Sequence, residues 1–201
     1  FLLIMGLSSA NEITKSEIDL LQSFKNNPNL HDYYLLEELM QSDFDSDLES
    51  HSLMYFFCLY NDDVSCANIH LNKAIALDPK NKELREQSKT LQEYSDLISR
   101  AKKTSEKELY DEALRDYTYI ISSHPEKALP YYDIGIVYLK KTDYDNAVIN
   151  FRKAIELNPF KEAYESAVVS VSQRIAKEAG EAARRQDFNA AIPKYKAAIK
   201  Y

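Results

Sequence analysis

The chain has 201 residues, a formal charge of −7, three Gly, two Cys, fifteen Tyr and eight Phe, and no Trp. Scarce Gly beside abundant Lys, Glu, Leu and Ala suits helices and argues against a β fold built on Gly-rich turns. The acidic balance disfavours non-specific binding to nucleic acid or to an anionic membrane surface.

Residues 1–10, Phe-Leu-Leu-Ile-Met-Gly-Leu-Ser-Ser-Ala, are short and apolar. Ser8 and Ala10 put small residues where a signal peptidase cuts, so the segment reads as the end of a truncated secretory signal. That points to an exported protein, periplasmic or secreted, rather than a cytoplasmic one. A buried first helix starting at Met5 is the alternative. The stretch is too short to span a bilayer. Because the sequence starts without a Met and stops inside a repeat, a fragment at both ends is expected.

Residues 11–47 hold two apolar stripes, Leu20, Leu21 and Phe24, then Tyr33, Leu36, Leu39 and Met40. Asn26-Asn27-Pro28-Asn29 breaks them, so two helices are expected, forming an N-terminal pair and a degenerate repeat at most. Asp43-Phe44-Asp45-Ser46-Asp47 has the opening rhythm of a calcium loop. Leu48 and Met54 stand where that loop needs Gly and a bidentate Glu, so it reads as a solvated linker.

From Leu48 the pattern changes. Met54, Tyr55, Cys58, Ala67, Leu71, Ala74 and Pro79 mark one helical hairpin over 48–81. A second, 82–127, carries Ala101, Tyr110, Ala113, Tyr117, Ile120 and Pro125. The third, 128–161, is the most regular. Taking Ala128 as position 1, Tyr131 falls at position 4, Ile134 at 7, Gly135 at 8 and Tyr138 at 11. Ala147 falls at 20, Phe151 at 24, Ala154 at 27 and Pro159 at 32. The last, 162–201, repeats the frame from Ser172 with Ala179, Ala182, Phe188, Ala191, Tyr195 and Ala198, and stops before its Pro. Lys73-Ala74-Ile75-Ala76-Leu77-Asp78-Pro79 mirrors Lys153-Ala154-Ile155-Glu156-Leu157-Asn158-Pro159, which repetition explains best. Residues 82–93 and 162–171 are extra to the frame. Neither holds Gly or Pro and both keep helical periodicity, so each reads as a lengthened first helix adding up to ~18 Å at ~1.5 Å per residue.

The frame has a physical logic. Small residues at 8, 20 and 27 let two helices approach, larger ones at 7, 11 and 24 fill the gap, and the Pro at 32 ends the second helix. Asp63, Asp143 and Asp187 at position 16 sit where second helices begin and can cap their free N–H groups. Tyr110, Tyr144 and Phe188 follow and are expected to pack back on the first helix. Pro193, inside the last second helix, removes one backbone donor and predicts a mild kink.

A ~34-residue frame of this kind resembles the tetratricopeptide repeat (TPR) family. The Ala128 unit resembles it at all eight signature positions, with Tyr131 in place of the usual Trp. The resemblance implies an all-α, right-handed solenoid of helical hairpins with two lengthened helices, no catalysis, and no cofactor or bound metal. It implies a scaffold that binds a peptide segment or a helix of a protein partner in a concave groove. Groove positions carried over from the family are Leu129, Tyr132, Ile136, Leu139 and Lys140, with Asp133 beside them, and Phe56, Leu59 and Tyr60 in the Leu48 unit. The N-terminal helices or the helix from Lys82 covering these residues is the plainer reading. TPR modules that grip the carboxylate tails of heat-shock chaperones use cationic and amide groups where Tyr132 and Asp133 stand here, which argues against that ligand. Two alternatives to the scaffold remain: an accessory domain of a longer enzyme, and a self-assembling unit that stacks through its open C-terminal repeat.

Remaining candidates are weak. Cys58 and Cys66 fit no zinc spacing. They could pair across a turn in an exported protein, but Cys58 at position 11 reads as a plain buried thiol. His31, His51, His70 and His124 form no ligand pair one turn apart. Lys102-Lys103 and Arg184-Arg185 read as solvated helix faces. Phosphate loops, nucleophile elbows and paired acid/base motifs are lacking in the sequence.

Overall fold

The computed structural model describes residues 15–39 and 47–201, with the side chains of 15–18, 30 and 37–39 outside that description. The signal-like segment 1–10 and most of the Asp-rich stretch 43–47 therefore lie outside the described residues, as does Met40. Among the described residues there are ten helices and no strand. They are α1 (Lys15–Asn26), α2 (Leu30–Leu39), α3 (Leu48–Tyr60), α4 (Val64–Leu77), α5 (Lys82–Glu106), α6 (Tyr110–Ser123), α7 (Ala128–Lys140), α8 (Tyr144–Leu157), α9 (Glu162–Arg184) and α10 (Phe188–Lys200). The fold is all-α and built from helical hairpins. The lengthened helices are real: α5 runs 25 residues and α9 runs 23.

The chain forms two compact units, residues 1–92 and 93–201. In the first, α1 packs on α2 and α3, and α3 pairs with α4. Its core is aromatic: the Phe24 ring meets Phe57 at 5.4 Å, Tyr60 at 5.0 Å and Tyr33 at 6.2 Å. Edge-on contacts of this kind suit the ring quadrupole. The buried Tyr33 hydroxyl donates to Asn61 Oδ1 at 2.8 Å, so the ring is anchored at both ends. In the second unit each helix from α6 to α10 packs on the next in sequence, the nearest-neighbour order of a repeat array. Ala147, Val148, Phe151, Val171 and Ile175 form its main cluster.

Turn chemistry repeats with the frame. Each hairpin turns through one residue at positive φ: Asp62 (54°), Glu108 (62°), Thr142 (60°) and Gln186 (61°). The next residue's N–H reaches back to close the first helix, as in Asp63 N to Cys58 O at 2.9 Å and Asp143 N to Tyr138 O at 2.9 Å. That is the Schellman closure, which normally favours Gly. Asp63, Asp143 and Asp187 then cap α4, α8 and α10 by accepting from Cys66, Asn146 and Ala190 N–H. Leu109, at the same place before α6, has no side-chain cap bond. At the far end Asp78, His124 and Asn158 end their helices with non-helical backbone (φ −131°, −136° and −141°), consistent with the Pro that follows each.

One sequence expectation fails here. Phe188 does not pack back on its partner helix but is 59% exposed. Lys102 keeps a solvated side chain, 47% exposed, with its Nζ 3.8 Å from Asp133 Oδ2. Through Pro193, α10 continues as a helix to Lys200. No described helix is long and apolar enough to cross a membrane.

Candidate partner-binding face

Helix α7 positions the main candidates. Its 13 residues place Leu129, Tyr132, Ile136 and Leu139 along one stripe at three- and four-residue steps, all half-buried, with Lys140 exposed at the end. Tyr132, Ile136 and Leu139 each rest on the cluster around Phe151 and Val171. The Tyr132 ring lies 5.6 Å from Phe151 and 4.9 Å from Tyr164. One edge of each side chain is therefore held by the core while the other remains accessible, which fixes rotamers before any ligand arrives.

Asp133 does not face outward. It is 9% exposed, close to Lys102 and to the Tyr117 hydroxyl. Burial and then the Asp133 charge push the Tyr117 phenol far up, so Tyr117 stays neutral and can act only as a hydroxyl. The same two causes raise Tyr132. Asp133 is thus a buried acidic group of α7, with the exposed Lys102 ammonium at ion-pair distance.

In the first unit the candidates are likewise half-buried. The Phe24 ring of α1 sits on Tyr60, Lys25 Nζ lies 5.6 Å above the Phe56 ring, and Leu59 packs on the Cys58–Leu71 cluster. Phe56, Leu59 and Tyr60 belong to the first unit and the α7 residues to the second.

Helix α9 adds a shallow polar depression that sequence reading missed, lined by Ser170, Gln173, Arg174, Lys177, Glu178 and Glu181. These recur every three or four residues, so a charged stripe at helical spacing was the available signal. Glu178 is its node. Lys194 Nζ binds Glu178 Oε2 at 2.6 Å and the Tyr144 hydroxyl donates to Glu178 Oε1. Burial pushes the Glu178 carboxyl up, but these two donors and Arg174 outweigh it and hold the group below its usual range.

In a second group the structure takes the alternative that the sequence reading disfavours. Cys58 and Cys66 are disulfide-bonded, with Cα atoms 5.6 Å apart, where a buried free thiol was expected. The α3–α4 turn brings position 11 of one helix opposite position 19 of the next, which neither residue's own helix reveals. His51 and His70 likewise meet across the hairpin, their Nδ1 atoms 3.1 Å apart, although no His pair was expected. Burial, then His51 and Lys73, pull the His70 imidazole down to about 4, so it is neutral at pH 7. Cys58 Sγ, Cys66 Sγ and a His70 ring nitrogen lie within 4.8 Å of one another.

Among solved structures the chain is similar to MamA 41-end from Desulfovibrio magneticus RS-1, at 15% identity over 90% of each chain with a TM-score of 0.33. It is similar to MamA MSR-1 at 16% identity, over 90% of this chain and 91% of that one, TM-score 0.32. MamA AMB-1 gives 15% identity, over 90% and 87%, TM-score 0.32. No curated protein matches the chain. A family model described as tetratricopeptide repeat matches residues 128–167, the helices α7 and α8 and the start of α9. The stretch that carries the half-buried stripe of α7 is the one that matches the tetratricopeptide-repeat model.

Proposed function

We propose that this chain is a protein-interaction scaffold whose α7 face holds an extended segment or a helix of a partner. The observation that carries the reading is the half-buried row Leu129, Tyr132, Ile136 and Leu139, ending in exposed Lys140. Apolar side chains already fixed on one edge supply binding surface at low ordering cost. Buried Asp133 adds a negative field beside that row, and Lys140 adds a positive end. A partner segment with apolar anchors and a charged group near Lys140 fits this pattern. We further read the protein as exported: the Ser8-x-Ala10 pattern and the Cys58–Cys66 disulfide both suit an oxidising compartment.

Alanine substitutions at Tyr132, Ile136 and Leu139 would loosen the core beneath them, so the test uses the accessible ends of the stripe. The wild-type chain is compared with a Leu129→Lys/Lys140→Glu variant and with Ile149→Lys on α8, where Ile149 is 62% exposed. Each is immobilised after circular dichroism confirms its helicity. A partner held by wild type and Ile149→Lys but lost by the double variant supports the face. Equal capture by all three removes α7 from the function. Loss only with Ile149→Lys moves the site to α8.

A further inference from the structure

The α3–α4 hairpin carries four side chains that the interaction face does not use: His51 and Cys58 on α3, Cys66 and His70 on α4. In the regular Ala128 unit the matching positions hold Tyr131, Tyr138, Asn146 and Asn150. This hairpin alone puts two sulfurs and two imidazoles there. Cys66 and His70 are one helical turn apart on α4, and Cys58 faces them from α3.

We propose that this hairpin binds a zinc-class metal ion when the Cys58–Cys66 bond is reduced, with Cys58 Sγ, Cys66 Sγ and a His70 ring nitrogen as ligands. The three donor atoms lie within 4.8 Å of one another. Tetrahedral zinc, with bonds of about 2.3 Å to sulfur and about 2.0–2.1 Å to nitrogen, sets its donors about 3.5–3.8 Å apart. Opening the disulfide lets the sulfurs separate to that distance by side-chain rotation, since the two Cα atoms stand 5.6 Å apart. Two thiolates with an imidazole select zinc over magnesium or calcium, which prefer oxygen. Water fills the fourth position.

His51 is a positioning residue. It is 3% exposed and its Nδ1 lies 3.1 Å from His70 Nδ1. When the His70 Nδ1–H donates to His51, the His70 lone pair resides on Nε2, the tautomer a ligand needs, and the ring is held in place. Cys58 is fully buried while Cys66 is partly accessible. A thiolate reductant therefore attacks Cys66 Sγ, and Cys58 leaves as the thiolate. A second reductant thiol releases Cys66 as its free thiol, leaving two cysteine thiols and one oxidised reductant disulfide. The metal then displaces two thiol protons to solvent. The hairpin is thus closed by a disulfide under oxidising conditions and by metal under reducing ones.

The test uses the full chain, reduced with a phosphine under anaerobic conditions and titrated with Co2+. The expected result is one equivalent bound, with a near-ultraviolet thiolate-to-metal band and the intense visible bands of tetrahedral cobalt, displaced by Zn2+. The oxidised chain should give neither band, a comparison that needs no substitution. His70→Gln and Cys66→Ser should lose the tetrahedral spectrum. His51→Gln should keep the thiolate band but weaken affinity about 10–100-fold. Circular dichroism accompanies each titration. A reduced chain that loses helicity and regains it with Zn2+ also supports the site. Reduced chain without a thiolate band, folded or not, overturns it, as does His70→Gln binding like wild type.

Discussion

Gly135 tests the packing logic of the repeat most directly. A Cβ built there would stand 2.4 Å from Phe151 Cε1, 2.5 Å from Cδ1 and 3.0 Å from Cζ. Carbon atoms rest at about 3.5–4.0 Å, so the ring would have to retreat by about 1 Å. It has nowhere to go. Phe151 is fully buried among Ala147, Val148 and Val171, with Tyr132 against it. Overpacking of this kind costs about 1–3 kcal/mol, and a rigid buried ring places Gly135→Ala near the upper end. Alanine recovers about 1 kcal/mol of helix propensity, leaving a net loss of about 2 kcal/mol. In a chain of this length that lowers the melting temperature by roughly 4–8 °C.

Gly180 on α9 supplies the control. A Cβ there would meet only the Tyr195 hydroxyl, at 3.6 Å, an ordinary contact. Gly180→Ala should therefore stabilise by up to about 1 kcal/mol. The same substitution, in two helices of one unit, is expected to have opposite signs. Urea unfolding followed by circular dichroism measures both. A third variant, Phe151→Leu, narrows the ring's footprint. In that background Gly135→Ala should cost about 1–2 kcal/mol less, a coupling typical of residues in contact. A Gly135→Ala protein as stable as wild type, or the same penalty in both backgrounds, would refute the claim that position 8 is small because position 24 is large.

Three further outcomes follow from the turns and the α9 node. Thr142 is exposed, β-branched and at φ 60°, a conformation costing roughly 1–2 kcal/mol for an L-residue; Thr142→Gly should raise stability by about 0.5–1 kcal/mol after glycine's own entropy is counted, read as a higher urea midpoint. Asp143→Ala removes the bond to Asn146 N–H and should cost about 1 kcal/mol, whereas Leu109→Asp supplies the missing cap of α6 and should gain a similar amount by the same assay. Glu178 faces Lys194 from α10, Tyr144 from α8 and Arg174 on its own helix, which hold its folded value below the ordinary range near 4.3. Its stabilisation is complete above that range and is lost as pH falls through the lowered folded value, so Glu178→Gln should cost about 0.5–1 kcal/mol at pH 7 and flatten the acid limb of a stability–pH curve.

What the sequence made legible was local. The α7–α8 hairpin, the Asp caps and the lengthened α5 and α9 each follow from spacing within one or two helices, where the 3.6-residue period acts directly. What it hid was the meeting of side chains across a turn. Position 11 favoured a buried thiol at Cys58 over a pairing with Cys66 across the turn, and the Schellman turn at Asp62 sets the two opposite each other. Asp133 stands beside the groove positions by analogy, yet it is buried near the Tyr117 hydroxyl, a contact between α6 and α7 that spacing within α7 does not reveal. Phe188 follows a capping Asp like its counterparts, but α10 has no later helix beside it among the described residues to cover the ring.

Volume at positions 8 and 24 links these cases, because the two residues share one gap between the helices of a hairpin. Gly135 faces Phe151, and Ala101 is matched with Tyr117 in the same frame, so small at 8 goes with a fully buried aromatic at 24. In the Leu48 unit the order reverses: Tyr55 stands at 8 and the smaller Leu71 at 24, both packed in the Cys58 cluster. The pair Tyr55 and Leu71 is bulkier than Gly135 and Phe151, and Tyr55 is only partly buried, so part of its ring lies outside the shared gap. Ala179 and Tyr195 follow the first pattern in residue type, yet Tyr195 is 44% exposed, so that gap is only partly filled. The reversal in the Leu48 unit has a consequence at position 11. With Tyr55 occupying the inter-helix space, Cys58 need not fill it as Tyr138 does in the Ala128 unit, and a small sulfur there can reach Cys66 instead. Tyr55→Gly should therefore leave a void that Leu71 cannot close and destabilise the hairpin, and adding Leu71→Phe should recover only the smaller part of that loss, because Phe exceeds Leu by much less than Tyr exceeds Gly.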